Sequence, residues 1–253
     1  MKCEIKGEKT IKTKNLEVEF KNRSFDIHES DKESVVILVG GKAFFKIRNK
    51  VYKARRSDVF LSKPYALYLP AGKSAKIERI SEDLMVVVAK TDSNRGGKTD
   101  SNRGGKTMFI RQRDIKTEYT EKGDFRAKIR NILPEKTAER IACGEMINFP
   151  GKWSNFPPYK ATSADKMEME MEKVCFFKIK PEDGFGILRV YGNGFNELYT
   201  VENNSLVTIE RGCHSLVSIP GYTIYHLWIL ASGDGGECEA GEIEQADHQR
   251  KLQ

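Results

Sequence analysis

Short hydrophobic runs recur along the chain and are separated by glycine, proline and charged residues. In the first half they occupy 34–39, 43–47, 51–54, 58–61, 66–70 and 84–90. Turn-forming residues stand between several of them, at Gly40 and Gly41, at 48–50 and at 70–72. Runs of this length without helical periodicity are typical of β-strands. The pattern therefore predicts an all-β fold, a sandwich or a barrel.

The second half repeats this pattern, with runs at 173–180, 186–191, 197–201, 206–209, 215–219 and 223–231. Between the halves the octapeptide TDSNRGGK stands at 91–98 and again at 99–106. It has no large apolar side chain, so we expect a flexible linker. From Asp234 onward the alternation is lost, and we expect a loosely packed tail. The predicted organisation is an N-terminal sandwich at 1–90, a linker at 91–107, a C-terminal sandwich at 108–233 and a tail at 234–253.

The distribution of charge along the chain argues against a nucleic-acid partner. The 253 residues contain 43 Lys and Arg against 36 Asp and Glu, a net charge of +7. Because acids are interleaved with bases along most of the chain, we expect no nucleic-acid partner. The linker cations Arg95, Lys98, Arg103 and Lys106 are a candidate phosphate site, but a solvated loop is the favoured interpretation.

Cysteine spacing and hydropathy argue against several classes of protein. The five cysteines are widely spaced and include no CxxC pair, so neither a zinc ribbon nor a disulfide framework is expected. The N-terminus lacks an apolar leader, and no run of about eighteen apolar residues occurs. We therefore expect a cytoplasmic protein with no membrane partner.

Several ordered motifs carry a family resemblance. The second half contains GEMINFPGKWSNFPPYK at 144–160, VCFFKIKPEDGFGILRVY at 174–191 and HSLVSIPGYTIYHL at 214–227. The first half contributes RRSDVF at 55–60 and YLPAG at 68–72, and RNIL at 130–133 joins the halves. Together they resemble the 5-deoxy-glucuronate isomerase family of inositol catabolism. Agreement in several ordered blocks is more specific than any one short motif.

The resemblance implies a fold and a reaction. Members of that family are bicupins, two fused antiparallel β-sandwiches of the jelly-roll type, with a divalent metal held by three histidines and a glutamate in the second sandwich. The implied reaction is an aldose–ketose isomerisation of a small sugar acid, from 5-deoxy-glucuronate to 2-deoxy-5-keto-gluconate. A proton leaves the carbon beside the carbonyl, and a cation stabilises the enediolate that forms.

The chain departs from the family at the implied metal ligands. Tyr159 and Ala161 stand where the family has two histidines, and Lys173 stands where it has the glutamate. His214 alone remains at a ligand position. With three of four ligand positions replaced, we expect no complete metal site and no bound cofactor.

Residues near the replaced positions provide few alternative metal ligands. Glu172 precedes Lys173, and adjacent strand residues face opposite ways, so we expect Glu172 to point away from the pocket. Glu168 and Glu170 share its side of the strand by the same alternation. His226, on the last strand, is interpreted mainly as a buried packing residue.

Lys173 and His214 are the candidate catalytic residues. Lys173 could supply a fixed positive charge at the position that the glutamate vacates, or act as a base if burial lowers its pKa. The competing interpretation is a lysine that extends to solvent from a collapsed cavity. The candidate substrate-binding residues are Tyr159, Arg189, Tyr222 and Tyr225; the last three are interpreted equally well as a packed face.

Two functions follow from these observations. The first is an isomerase of a small sugar acid with a remodelled or metal-free site. The second is a non-catalytic cupin that acts as a sugar-acid-binding, sensory or structural protein, for example as a partner subunit. Intact scaffold motifs beside a replaced metal cage favour the second, and the resemblance favours the first. Whether the chain is an enzyme and whether it forms a homo-oligomer are left open.

Overall fold

The computed structural model describes residues 2–93, 105–134, 137–154, 171–192 and 194–232, with the backbone alone at 159, 160 and 171. Most of the predicted linker and the predicted tail from 234 onward lie outside the described residues. The described chain forms twenty strands and one 3-10 helix of three residues, so no helix in these ranges crosses a membrane. The prediction of an all-β fold is confirmed.

The first half contains ten strands that begin near the N-terminus and end after the linker. They are β1 Lys2–Glu4, β2 Lys9–Lys12, β3 Glu17–Lys21, β4 Phe25–His28, β5 Lys32–Ile47, β6 Lys50–Arg56, β7 Ala66–Leu69, β8 Ser74–Arg79, β9 Met85–Asp92 and β10 Met108–Ile110.

The second half follows the 3-10 helix η1 at Gln112–Asp114. Its strands are β11 Glu118–Lys122, β12 Phe125–Leu133, β13 Ile141–Asn148, β14 Tyr159–Lys160, β15 Met171–Lys180, β16 Phe185–Gly192, β17 Phe195–Glu202, β18 Ser205–Ile209, β19 Cys213–Ser218 and β20 Thr223–Ser232.

Each half is an antiparallel sandwich. In the first, strands pair in the order β10-β7-β5-β9-β3-β2, while β6 and β8 pair with the far end of β5 and β4 pairs with β8. In the second, a seven-stranded sheet β1-β18-β15-β20-β13-β12-β11 faces a four-stranded sheet β14-β19-β16-β17. Sheet membership crosses the predicted boundaries twice, because β1 pairs with β18 of the second half and β10 pairs with β7 of the first.

Strand β5 belongs to both layers of the first sandwich. The predicted turn at Gly40 and Gly41 is wrong, because a bulge between Leu38 and Gly40 bends the strand without ending it. Gly41 has φ +84°, and a Cβ there would lie 2.6 Å from the Cα of Leu84. The close backbone approach requires glycine, and it lets one strand serve both sheets.

The predicted strand at 58–61 is a turn. Asp58 Oδ1 accepts a hydrogen bond from the Phe60 amide at 2.6 Å, and the Ser62 amide donates to the Asp58 carbonyl at 3.0 Å. These local bonds satisfy backbone groups that a strand would have paired with a neighbour.

A large apolar core lies between the two halves. Alternate residues of β5 face opposite sides, so Val36 and Leu38 fill the first sandwich while Val35 and Ile37 face the second half. On β15, Phe176 faces the first half and contacts Phe20, with ring centroids 5.0 Å apart. This arrangement explains hydrophobic runs without alternation, because both faces of these strands are buried.

Two buried carboxylates also join the halves. Glu33 is fully buried and accepts hydrogen bonds from Tyr68 Oη at 2.6 Å and from the backbone amides of 139–141 at 2.7–3.0 Å. Burial raises the pKa of Glu33, and these hydrogen bonds oppose the rise. Three amides of the second half are thereby tied to a side chain of the first.

Glu145 is the second of these carboxylates. It accepts from Arg56 Nη1 at 2.6 Å and Nη2 at 3.0 Å, from Arg130 Nη1 at 3.2 Å and from Tyr225 Oη at 2.7 Å. Both guanidinium groups also donate to carbonyls in the turn at 59–62. This set, the Glu145 cluster, fixes that turn against the second half.

Candidate functional site

The second sandwich encloses a cavity of about 230 Å³ between its two sheets. Its wall is mainly apolar, with Phe177 and Trp228 as the largest side chains. The polar groups that reach it are few, and they are Asn131, Ser154, Lys173, His214 and His226. A cavity of this size and lining suits a compact ligand held by a small number of polar contacts.

Strand alternation places Lys173 in this cavity. On β15 the side chains of Lys173, Cys175 and Phe177 line it, whereas Val174 and Phe176 pack in the core between the halves. Lys173 is 6% exposed, so it does not extend to solvent. Its Nζ lies 6.0 Å from the centre of the Trp228 ring.

Lys173 and His214 meet inside the cavity. His214 lies on β19, opposite Val190 of β16, and Lys173 lies on the facing sheet. Lys173 Nζ and His214 Nε2 are 2.9 Å apart, a hydrogen bond whose donor depends on the tautomer of the ring. The two candidate catalytic residues are therefore brought together.

Burial controls the protonation of this pair. Burial lowers the pKa of Lys173, and the nearby Cys175 opposes the shift. The pKa of His214 falls well below its ordinary value, first because of burial and then because of the positive charge of Lys173. His214 is consequently a neutral imidazole at neutral pH.

His226 is a third polar group on the cavity wall. It is buried as expected, and it faces the same cavity as Lys173, which a packing role alone did not predict. Burial and the charge of Lys173 lower its pKa to about 3. Its ring centre is 5.7 Å from that of Phe177, and its Nδ1 has no hydrogen-bond partner among the described residues.

The described residues do not fit a divalent cation. They contain no group of three or more His, Cys, Asp or Glu able to hold a metal. At the implied glutamate position, Lys173 places its Nζ beside His214 Nε2, where a metal bound by that nitrogen would lie. The backbone of Tyr159 pairs with His214 across β14 and β19, while Ala161 and the side chain of Tyr159 lie outside the described residues.

Glu172 does not contribute to this cavity. Its carboxylate accepts hydrogen bonds from the Thr13 hydroxyl, from the Asn15 amide at 2.9 Å and from Asn15 Nδ2 at 3.3 Å. The expectation that it points away is confirmed, and it is a third carboxylate that joins the halves. Glu168 and Glu170 lie outside the described residues.

Three expected ligand contacts lie elsewhere. Arg189 is on the outer face of β16, where its Nε donates to Asn196 Oδ1 at 2.9 Å. Tyr222 packs over Gly184, at which a Cβ would meet its ring at 2.1 Å. Tyr225 precedes His226 on β20, so it faces the opposite way and binds Glu145.

Sequence reasoning missed the walls of the cavity. Trp228 is seated against Gly144, where a Cβ would lie 2.4 Å from the indole Cζ2. Asn131 and Ser154 also line the cavity, and both lie within the motifs at 130–133 and 144–160. Period-two alternation along 223–231 would have paired His226 with Trp228 on one face.

A family model and similar curated proteins point to the same family. A family model described as the KduI/IolB family matches residues 2–249. A protein named 5-deoxy-glucuronate isomerase from Geobacillus thermodenitrificans (strain NG80-2) is 29% identical over 209 residues, which cover 79% of this chain and 73% of that protein. The protein of the same name from Geobacillus kaustophilus (strain HTA426) is 28% identical over 208 residues, 79% of this chain and 72% of its own length.

Solved structures share the fold. An IolB-like protein from Salmonella typhimurium LT2 superimposes with a TM-score of 0.78 at 23% identity, covering 90% of this chain and 89% of that one. The oxalate decarboxylase of Lactobacillus farciminis gives 0.62 at 9% identity, covering 94% and 86%. Two fused sandwiches of the cupin type are therefore the architecture of the chain.

Proposed function

Since the chain belongs to the KduI/IolB family, we propose that its second sandwich binds and isomerises a small sugar acid without a divalent cation. Relatives named 5-deoxy-glucuronate isomerase supply the substrate class, an aldose that carries a carboxylate. The observation that carries the proposal is the 2.9 Å contact between Lys173 Nζ and His214 Nε2 inside the cavity.

Lys173 takes the electrostatic role of the cation. The carbonyl oxygen of the substrate lies within hydrogen-bond distance of Nζ and accepts from it. As the proton leaves the neighbouring carbon, negative charge grows on this oxygen, and a donor fixed in an apolar cavity stabilises that charge more than water does.

His214 holds and moves the proton. Burial and Lys173 keep its imidazole neutral at neutral pH, so Nε2 has a lone pair that accepts from Lys173 before the substrate binds. When the carbonyl oxygen of the substrate takes over this donor, Nε2 is released to receive the carbon-bound proton. The hydrogen bond to Lys173 orients the ring. Apolar neighbours such as Phe177 and Trp228 exclude water from the enediolate.

A binding protein without turnover is the second candidate. The observation that favours it is that the described residues lining the cavity include no Asp or Glu, so among them only imidazole and amine nitrogens can move the proton. A strongly lowered pKa also makes His214 a weak base. An assay for 2-deoxy-5-keto-gluconate formation separates the two candidates.

Lys173→Met tests the proposal, because it keeps the length of the side chain and removes its nitrogen. We expect the affinity for 5-deoxy-glucuronate, measured by calorimetry, to fall at least about tenfold. Thermal stability should be unchanged or higher, because an apolar group replaces a buried amine.

Lys178→Met is the matched control on the same strand. Lys178 lines an open cleft elsewhere, and its Nζ lies 6.0 Å from the Phe176 ring. We expect this variant to bind the sugar acid as the parent does. Unchanged affinity in Lys173→Met would contradict the proposal.

A further inference from the structure

A second concave site lies in the first sandwich. The residues that line it are distant in sequence from those that line the Lys173 cavity. Three segments form it: the β5–β6 turn at 48–49, the β7–β8 turn near Lys73, and 105–107 before β10. They enclose a pocket of about 540 Å³. Nothing in the proposed function uses this pocket.

Among the residues that the structure describes, four cations and no acid line the pocket. Its charged lining residues are Arg48, Lys50, Lys73 and Lys106. None of the four forms an ion pair within the ranges that the structure describes. Some other cations of this half do form ion pairs, as in Lys46 with Glu78 at 2.5 Å and Lys90 with Glu29 at 2.7 Å.

Four cations without an ion-pair partner among the described residues surround one concavity and produce a positive potential there. Like charges held together repel, so a ligand with several negative charges is attracted to them. The position of Arg48 fits this role. It has φ +51°, a conformation that glycine adopts freely and arginine does not, yet the turn places a guanidinium at the rim.

The floor of the pocket is aromatic. The rings of Tyr52 and Phe109 stack with centroids 4.2 Å apart and an interplanar angle of 17°. Phe109 continues this stack to Tyr65 at 5.9 Å and to Phe45, in the core, at 5.5 Å. A rigid aromatic surface beneath a cationic rim provides contact for the organic part of a ligand.

We propose that this pocket binds a small organic anion that carries two or more negative charges. The cations of the rim hold the charged groups, and the Tyr52–Phe109 stack contacts the carbon framework. Phosphate esters and dicarboxylates share this chemistry. For Lys106, an exposed residue that the sequence places in the linker, the proposal adds a role beside three cations of the folded sandwich.

The test is a calorimetric titration with three probes: phenyl phosphate, phthalate and inorganic phosphate. We expect saturable binding of at least one aromatic dianion, at least about fivefold tighter than inorganic phosphate because of the aromatic floor. The tighter of phenyl phosphate and phthalate identifies the anionic group. Raising the salt from about 50 to about 200 mM should weaken binding.

Charge-reversal variants locate the site. Lys50 and Lys106 are exposed, so Lys50→Glu and Lys106→Glu are expected to fold, and each should weaken binding by about tenfold. Arg211→Glu, an exposed residue of the second half beside Phe195, changes the net charge equally and should weaken it less than about twofold. Lys50→Arg should retain binding.

Two results would overturn the inference. One is that neither aromatic dianion binds saturably to the parent protein. The other is that Arg211→Glu weakens binding as much as Lys50→Glu, which would assign the effect to net charge alone. Both results are independent of Lys173, so they leave the proposed function of the second sandwich unaffected.

Discussion

In the proposed function, Lys173 is the residue on which the chemistry of the second sandwich depends. Its position on β15 directs it into the cavity, and its amine lies beside His214 where a metal would otherwise sit. In the proposal, one lysine stands at the position that the resemblance assigns to a carboxylate ligand and supplies a hydrogen-bond donor in its place. The sequence allowed this hypothesis or a solvent-exposed lysine, and its burial supports the first.

Gly144 sets the shape of the cavity through Trp228. A Cβ at this position would lie 2.4 Å from the indole and 2.8 Å from the Arg130 carbonyl oxygen, so Gly144→Ala must displace the tryptophan. We expect a loss of about 1–3 kcal/mol in the free energy of unfolding and weaker sugar-acid binding. Urea denaturation and calorimetry measure the two effects.

Gly40→Ala provides the comparison for this substitution. A Cβ at Gly40 would meet its nearest neighbour, the Asp83 carbonyl oxygen, at 3.6 Å, an ordinary contact. We expect a change in stability of less than about 1 kcal/mol and unaltered binding. Equal effects of the two substitutions would show that Gly144 has no special role at the cavity.

At the level of elements, the side chains of β15 and β20 alternate between the cavity and the core between the halves. One face of each strand lines the cavity, with Lys173 and His226, and the other packs between the halves, with Phe176 and Tyr225. Each of these strands therefore contributes to two separate environments. The Glu145 cluster lies on the packing side and holds the turn at 59–62 against the second half.

Glu145→Gln should be strongly destabilising. The substitution leaves the buried guanidinium groups of Arg56 and Arg130 without the carboxylate that balances them. We expect a loss of about 3–5 kcal/mol in the free energy of unfolding. Urea denaturation followed by circular dichroism measures this loss.

Glu202→Gln is the corresponding control. It breaks only the exposed ion pair with Lys2, at 3.1 Å, and should leave the denaturation midpoint nearly unchanged. If Glu145→Gln also left the midpoint unchanged, the Glu145 cluster could not be the contact that secures the two halves.

The sequence predicted that the chain is built of strands, but it did not predict where each strand begins and ends. The runs at 34–39 and 43–47 predicted strands correctly, yet the bulge that merges them into β5 depends on how closely Leu84 approaches Gly41. The run at 58–61 is a turn because Asp58 bonds locally and because the carbonyls of 59–62 accept from Arg130, which is distant in sequence, and from the nearby Arg56. The contacts of Gly41 with Leu84 and of Arg130 with the turn join residues far apart in sequence, so no local signal predicts them.

The candidate site was predictable only in part, because it too depends on contacts between residues far apart in sequence. Motif positions identified Lys173 and His214, which the structure brings together. Tyr225 and His226 are neighbours on one strand, and which of them faces the cavity depends on register, which the sequence does not fix by itself. The partners of Tyr225, Glu145 and Arg56, come from other strands.

At the scale of the whole molecule, the two sandwiches form a single structural unit. They share an apolar core, three carboxylates that bond across the interface, and strands that pair with the sheet of the other half. Neither half could keep its facing sheet covered alone. We therefore expect cooperative unfolding of both halves together.

Tryptophan fluorescence tests this unity, because both tryptophans, Trp153 and Trp228, lie in the second half. Fluorescence thus follows one sandwich, whereas far-ultraviolet circular dichroism follows the strands of both. The two urea transitions should coincide in midpoint and slope. A fluorescence midpoint separated from that of circular dichroism would show that the halves unfold independently.

The most direct test of the account is whether sugar-acid binding requires a divalent cation. Calorimetric titration of 5-deoxy-glucuronate into the protein should give the same affinity, within about twofold, after dialysis against a chelator and with added Mn²⁺ or Zn²⁺. Binding that disappears with the chelator and returns with stoichiometric metal would contradict the assignment of Lys173 to the place of the cation.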